Sequence, residues 1–288
     1  MCKMSLILPF LKKSAMKVSF EFFPPRDESS KESLKTVRDE LKTLNPEYFS
    51  VTFGAGGSTQ DATFEAISAI QSEGFVPAAP HLSCIGSKKE NIKSLLNDYI
   101  NLGVKHIVAL RGDIPSGVRD IGDFNHANEL VTFIREEFND HFSIMVAAYP
   151  EKHPEATSFR NDLENFVNKV KSGASQAITQ YFYNPDAYFR FCDDVNSMGV
   201  NIPITPGIMP ITNCKQLKRF SEMCGAEIPR WIIQRLESYD DDIDSIRGFG
   251  LDVVNELCFR LKSNGVKDFH FYSMNKLNPT REIALNLI

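Results

Sequence analysis

The chain has 288 residues, 42% of them hydrophobic and 24% charged, with a formal net charge of −5. That balance belongs to an ordinary globular protein, its acidity argues against nucleic-acid binding, and no apolar run reaches the roughly eighteen residues that cross a bilayer. The six cysteines are scattered without a C-x-x-C pair, so neither a disulfide framework nor a zinc site is expected and a reducing cytoplasm suits them.

Residues 1–15 carry a short apolar patch between lysines, with no small-residue cleavage site after it, and read as an N-terminal extension. The first strand follows: Val18, Phe20 and Phe22 alternate with Ser19, Glu21 and Phe23, the two-residue period of a strand, until Pro24-Pro25 end it. A helix fits residues 31–44, with Ser29 or Ser30 as its cap. Residues 48–53 are a second strand running into Gly54-Ala55-Gly56-Gly57, and a helix fits 61–72. Residues 76–84 read as a third strand despite their prolines, and 88–102 as a helix. The near-continuous apolar run 105–110 marks a strand buried on both faces. The alternation then repeats: helix 126–138, strand 143–149, helix 159–171, strand 177–182, helix 186–198, strand 204–209, helix 213–223. An irregular stretch holding the single tryptophan, Trp231, precedes a long helix over 242–263 and an eighth strand over 268–272.

Eight strands alternating with eight helices predict one closed (β/α)8 barrel over residues 16–288. The rival doubly wound sheet needs a G-x-G-x-x-G turn after its first strand, and that turn is missing. In such a barrel the chemistry sits at the C-terminal strand ends. There stand Glu21, Thr52, His81, Arg111-Gly112-Asp113, Tyr149, Glu151, His153, Gln180, Gln216, Asn275 and Lys276. A carboxylate on an apolar strand is costly unless paired or neutral. Glu21 is therefore either a structural acid bound to a base, or a general acid whose pKa is raised. Asp162, Asn165 and Lys169 share one helix face at i, i+3 and i+7. Such a row can hold sugar hydroxyls and a phosphate, or simply face solvent. From the residues alone a lyase using a strand-end lysine such as Lys276 fits as well, and no metal cluster is indicated.

The segments VSFEFFPPR (18–26), FSVTFGAGG (49–57), APHLSC (79–84), HIVALRGD (106–113), VAAYPEKHPEA (146–156), AITQYFY (177–183), ITPGIMPITN (204–213) and GVKDFHFYSMNK (265–276) resemble, in order and over almost the whole chain, the bacterial barrel type of 5,10-methylenetetrahydrofolate reductase. The resemblance implies non-covalent FAD, with NADH or NADPH reducing it before folate takes the nicotinamide's place in a ping-pong cycle. The product is 5-methyltetrahydrofolate, which feeds methionine synthesis. Glu21 falls at the family's general acid, and Asp113 at the aspartate that binds the pterin and tunes the flavin. Gln180, Gln216 and Lys276 fall at folate contacts. Thr52 matches a nicotinamide-side contact, and Phe220 the aromatic that packs on the folded dinucleotide. For FAD the resemblance points to Phe53, His81, Arg111, Gly112, Asp113, Ala127, Tyr149, His153, Ala156, Asp162, Asn165 and Lys169. Three positions depart from the family. Phe53 and His126 stand where tyrosines are common, and the loop around 114–125 differs in length. Lys276 replaces an arginine, keeping the charge without the forked geometry. Absence of the regulatory domain of eukaryotic members favours NADH, and a homo-oligomer without membrane or nucleic-acid partners is expected.

Overall fold

The computed structural model describes residues 16–53, 57–113 and 122–288, residues 57–59 by their backbone alone. The expected N-terminal extension 1–15, the glycine-rich Gly54-Ala55-Gly56 and residues 114–121 of the variable loop lie outside the described residues.

The strands are β1 (Lys17–Phe22), β2 (Phe49–Val51), β3 (Ala78–Ser83), β4 (His106–Leu110), β5 (Ser143–Ala148), β6 (Gln176–Thr179), β7 (Ile204–Thr205), β8 (Gly207–Ile208) and β9 (Asp268–Tyr272). The helices are α1 (Glu28–Lys42), α2 (Gly57–Glu73), α3 (Lys89–Asn101), α4 (Ala127–Phe138), α5 (Phe159–Lys171), α6 (Pro185–Ser197), α7 (Cys214–Cys224), α8 (Arg230–Glu237), α9 (Ile243–Ser263) and α10 (Thr280–Leu287). All the strand pairings are parallel, in the order β7-β6-β5-β4-β3-β2-β1-β9-β8. β7 and β8 are one run broken at Pro206, which has no N–H to give to a ladder. Its first half pairs with β6 and its second with β9. The run thus closes the ring, which has the eight strand positions of the expected (β/α)8 barrel.

The two-residue period sorts side chains between the two surfaces of the ring. On β1, Val18, Phe20 and Phe22 point outward and are buried under the helices. Phe20 stacks on Phe271 at 5.6 Å and Phe22 meets Phe49 edge-on at 5.2 Å. Each such ring contributes on the order of 1.5–3 kcal/mol through burial. Inside the ring Tyr48, Ala79, Val108, Met145 and Ile178 form a smaller buried cluster, with Leu110 packed against it.

Two local expectations need correction, and one helix was not foreseen. α1 begins at Glu28 because Asp27, not Ser29 or Ser30, is the cap: its carboxylate accepts from Ser30 N, and Ser30 Oγ accepts from Asp27 N in return. The stretch around Trp231 is not irregular throughout, since α8 occupies it with Ile232 and Leu236 buried one turn apart. At eight residues it is too short for a period to show. The chain also continues past β9 into α10, whose Ile283, Ala284 and Leu287 are buried.

Candidate active site

A cavity of about 470 Å³ opens at the C-terminal ends of the strands. It brings together Glu21, Thr52, Phe53, His81, Gly112, Asp113, Tyr149, Gln180 and Phe220 from the sequence candidates, with Tyr181, Met209, Cys224 and Tyr272 completing the wall.

Glu21 faces inward because β1 alternates, and two imidazoles meet it there. Its Oε2 lies 3.2 Å from Nε2 of His81 on β3 and 3.6 Å from Nε2 of His270 on β9. Burial pushes the carboxyl up, but the charge of His81 and the close polar approach of His270 and His81 together pull it down to about 2. The raised pKa expected of Glu21 is therefore not what this arrangement produces. In the protein without ligands the acid is held ionised by its paired bases. Burial in turn pushes His270 down, only partly offset by its close polar approach to Glu21 and by the Glu21 charge.

Gly112 follows β4 with φ +83°, and a Cβ there would sit 1.8 Å from Ser83 Oγ. Only glycine fits both the left-handed backbone and that approach, and Ser83 Oγ is fixed in place by donating to Arg111 O at 2.9 Å. The turn sets Asp113 at the exposed rim of the cavity. Across the mouth, Gly207 leaves room for Tyr272, whose ring a Cβ would meet at 2.6 Å. The Tyr272 hydroxyl donates to Thr179 O at 2.7 Å, while burial pushes its pKa well above the ordinary range.

A second group of candidates continues from the cavity along the β5–α5 side. Tyr149 meets His153 edge-on at 4.6 Å, and His153 N donates to Asp162 Oδ2 at 2.8 Å. Arg111 makes a forked pair with Glu155, at 2.5 and 2.9 Å, and Glu155 N donates to Nδ1 of His153 at 3.1 Å. Lys169 Nζ donates to Ala147 O at 2.5 Å, and burial pushes its pKa down to about 8 although the Asp162 charge opposes this. Of the helix row, Asp162 and Lys169 thus turn toward the mouth. Asn165 instead stays exposed, with Asn161 as its partner at 3.5 Å.

The remaining candidates line no wall of the cavity. Ala127 is the first residue of α4, and Ala156 lies in the β5–α5 loop with its N–H bonded to His153 O. Gln216 sits in the first turn of α7, half-buried, its N–H capped by Asn213. Lys276 is exposed beyond β9. Beside it, Asn275 accepts from Phe23 N at 2.8 Å and donates to Phe23 O at 3.0 Å, tying the exits of β1 and β9 together. Sequence reasoning missed His270 and Tyr272 as site residues. The alternation Asp268-Phe269-His270-Phe271-Tyr272 would have placed both inward.

The residues from 7 to 287 match the family model for methylenetetrahydrofolate reductase. The chain is 42% identical to 5,10-methylenetetrahydrofolate reductase of Escherichia coli (strain K12), over 94% of this chain and 90% of that protein. It is 36% identical to methylenetetrahydrofolate reductase (NADH) 1 of Arabidopsis thaliana, covering 93% of this chain but 48% of the plant protein. Among solved structures, an uncharacterized protein from Clostridium thermocellum, described as binding two copies of 5-methyl-5,6,7,8-tetrahydrofolic acid, shares the fold. The TM-score is 0.62 at 17% identity, with 95% of this chain and 94% of that one covered. The barrel, the inward acid at the end of its first strand and the match along nearly the whole sequence agree, and the chain belongs to the methylenetetrahydrofolate reductase family.

Proposed function

We propose that the protein reduces 5,10-methylenetetrahydrofolate to 5-methyltetrahydrofolate with NADH or NADPH as reductant, in a ping-pong cycle on FAD held non-covalently at the barrel mouth. The observation that carries this reading is Glu21. It is a mostly buried carboxylate paired with an imidazole and facing a cavity whose other walls bear Gln180, Asp113 and Phe220, in a chain of this family.

The residues present suit FAD. Lys169 is a half-buried lysine whose charge burial disfavours, so a phosphate beside it would stabilise that charge. The guanidinium of Arg111, presently forked onto Glu155, has the geometry for phosphate oxygens. His153 and Asp162 supply polar contacts between them, and Phe53, Leu110 and Ala147 offer apolar surface to a ring system. When bound, FAD supplies a two-electron carrier between nicotinamide and folate.

The chain's own residues supply the proton and the geometry. Protonated Glu21 would deliver its proton to folate N10 as the bond from the methylene carbon to N10 breaks, leaving an N5 iminium able to accept hydride. Because Glu21 is ionised in the unliganded protein, the folate complex must raise its pKa. Displacement of water from the cavity acts in that direction, because burial already opposes the charge. Asp113 at the rim would hold the pterin, and its negative charge disfavours further negative charge on a reduced ring nearby. Gln180 and Gln216 would contact folate, with Thr52 and Phe220 on the nicotinamide side, where an aromatic wall suits a folded dinucleotide.

The test is a titration of purified protein with FAD followed by anaerobic mixing. A yellow protein, bleached by NADH and restored by 5,10-methylenetetrahydrofolate, is the expected outcome. A protein that stays colourless after reconstitution, or whose bleached form folate does not restore, overturns the reading.

A further inference from the structure

Glu21 is the last residue but one of β1, and the sequence after it is poorly suited to a ladder. Phe22 is followed by Phe23 and then by Pro24-Pro25, which have no N–H to give. On the β2 side the register runs on to Phe22 opposite Val51, and Phe22 O accepts from Thr52 N at 2.9 Å. On the β9 side the register stops at Glu21 opposite Tyr272. Beyond it the β9 backbone turns away through Met274 and Asn275, both left-handed at φ +55°. Two side chains continue the pairing where the backbone has left it. Ser273, buried, donates from Oγ to Glu21 O at 2.6 Å, beside its own N–H at 3.3 Å. Asn275 takes both backbone groups of Phe23: Oδ1 accepts from Phe23 N at 2.8 Å, and Nδ2 donates to Phe23 O at 3.0 Å. Asn275 N in turn donates to Ser273 Oγ at 3.2 Å, so the two form one unit.

The Asn275 amide thus stands in for the peptide group that a longer β9 would have offered. A left-handed methionine is strained in a way that a strand residue is not, and such strain persists only where the surroundings hold it. Here the turn has a use, because it puts the Met274 side chain into the mouth cavity and Lys276 directly after it. The end of β1 would otherwise be free on that side, with Glu21 one residue from it. A general acid must stand within about 2.6–3.2 Å of the atom that it protonates, and a misplacement of about 1 Å costs on the order of a hundredfold. His81 and His270 act on the Glu21 carboxylate, whereas Ser273 and Asn275 act on the backbone that aims it.

We propose that Asn275, together with Ser273, is a positioning residue that locks the exit of β1 and so holds the Glu21 carboxyl against folate N10. The proposal rests on the reading of Glu21 as the general acid. Asn275 touches no reacting atom, and no proton passes through it. Its effect falls on the folate half-reaction, because hydride transfer from nicotinamide to the cofactor takes no proton from Glu21. The same turn fixes Met274 and Lys276, on the folate side, to the acid that protonates the folate.

The experiment follows the two half-reactions of the FAD-reconstituted enzyme by stopped flow. Asn275→Gly keeps the left-handed backbone and removes only the amide, so the turn and the clamp are separated. It should slow the folate half-reaction by about tenfold to a hundredfold, while the NADH half-reaction stays within about twofold of wild type. The loss should lie in the limiting rate, with the folate concentration at half that rate shifted by less than about threefold. Asn275→Asp, which keeps the acceptor for Phe23 N, should recover part of the loss. Ser273→Ala removes one bond of the clamp; it should show a smaller loss in the same half-reaction, and it supplies the comparison should Asn275→Gly not fold. Added to Glu21→Gln, Asn275→Gly should slow folate reduction no further, because nothing is left to position. Equal loss of both half-reactions, an unchanged folate rate, or losses that multiply in the double variant each overturn the proposal. The first means that the clamp is structural, the second that β1 holds Glu21 without it, and the third that Asn275 acts by another route. Failure of the underlying reading has a different signature, namely full folate turnover in Glu21→Gln alone.

Discussion

Lys169 offers a quantitative test of cofactor binding. Burial holds its pKa near 8 against an ordinary 10.5, although the Asp162 charge pulls the other way. The unliganded protein therefore carries a cation there at neutral pH and loses it as pH rises through about 8. A pyrophosphate beside Nζ favours the charged form, so the bound state should return the pKa at least to its ordinary value. Binding then takes up a proton above pH 8. By linkage, the FAD Kd should be nearly flat from about pH 6 to 7 and then rise, reaching roughly thirty-fold by about pH 9.5, or ~2 kcal/mol. Fluorescence quenching of FAD by apoprotein across that range measures it. Lys169→Met should bind more weakly at neutral pH and lose the slope, because no group with this pKa remains at the site. A flat wild-type profile, or a slope that survives in Lys169→Met, would refute the placement of the phosphates beside Nζ.

Glu21→Gln should slow the folate half-reaction by roughly a hundredfold or more while NADH still bleaches the flavin at close to the wild-type rate; loss of both together would show a structural acid. Gly112→Ala places a Cβ 1.8 Å from Ser83 Oγ at φ +83°. It should cost at least ~2 kcal/mol in urea denaturation, from left-handed strain and the displaced serine, and no loss would mean that the turn relaxes. Burial pushes the Glu151 carboxyl up to about 7, against the N–H that Glu227 donates to it at 2.7 Å. A raised folded-state pKa means stability that is full below the ordinary 4.5 and lost as pH rises through about 7. Glu151→Gln should thus be more stable than wild type at about pH 8, on the order of 1 kcal/mol once solvent screening is allowed for, and equal at about pH 4; a pH-independent difference would rule this out. Lys276→Arg should tighten binding of polyglutamylated folate a few-fold through the forked guanidinium, and equal Kd values would remove Lys276 from the folate tail.

The order of strands and helices was legible because the strands carry a period of two or a short continuous apolar run, and each long helix an apolar face. α8 and α10 escaped because eight residues hold barely two turns. Glu21 was legible as an inward acid for the same reason, and the motifs linked along the chain pointed to the family. The alternation on β9 also places His270 inward, but nothing local says what it meets.

That meeting was decided by closure of the ring. Ser19 and His270 stand 251 positions apart, and only the β1–β9 pairing makes them neighbours. The sign of the Glu21 shift belongs to the same level. Sequence predicts a buried carboxylate, which alone would be pushed up, while the two imidazoles contributed by β3 and β9 pull it down. Alternation along one strand fixes which way a side chain points, because it depends on backbone geometry alone. Its charge state depends on what the neighbouring strands bring to it.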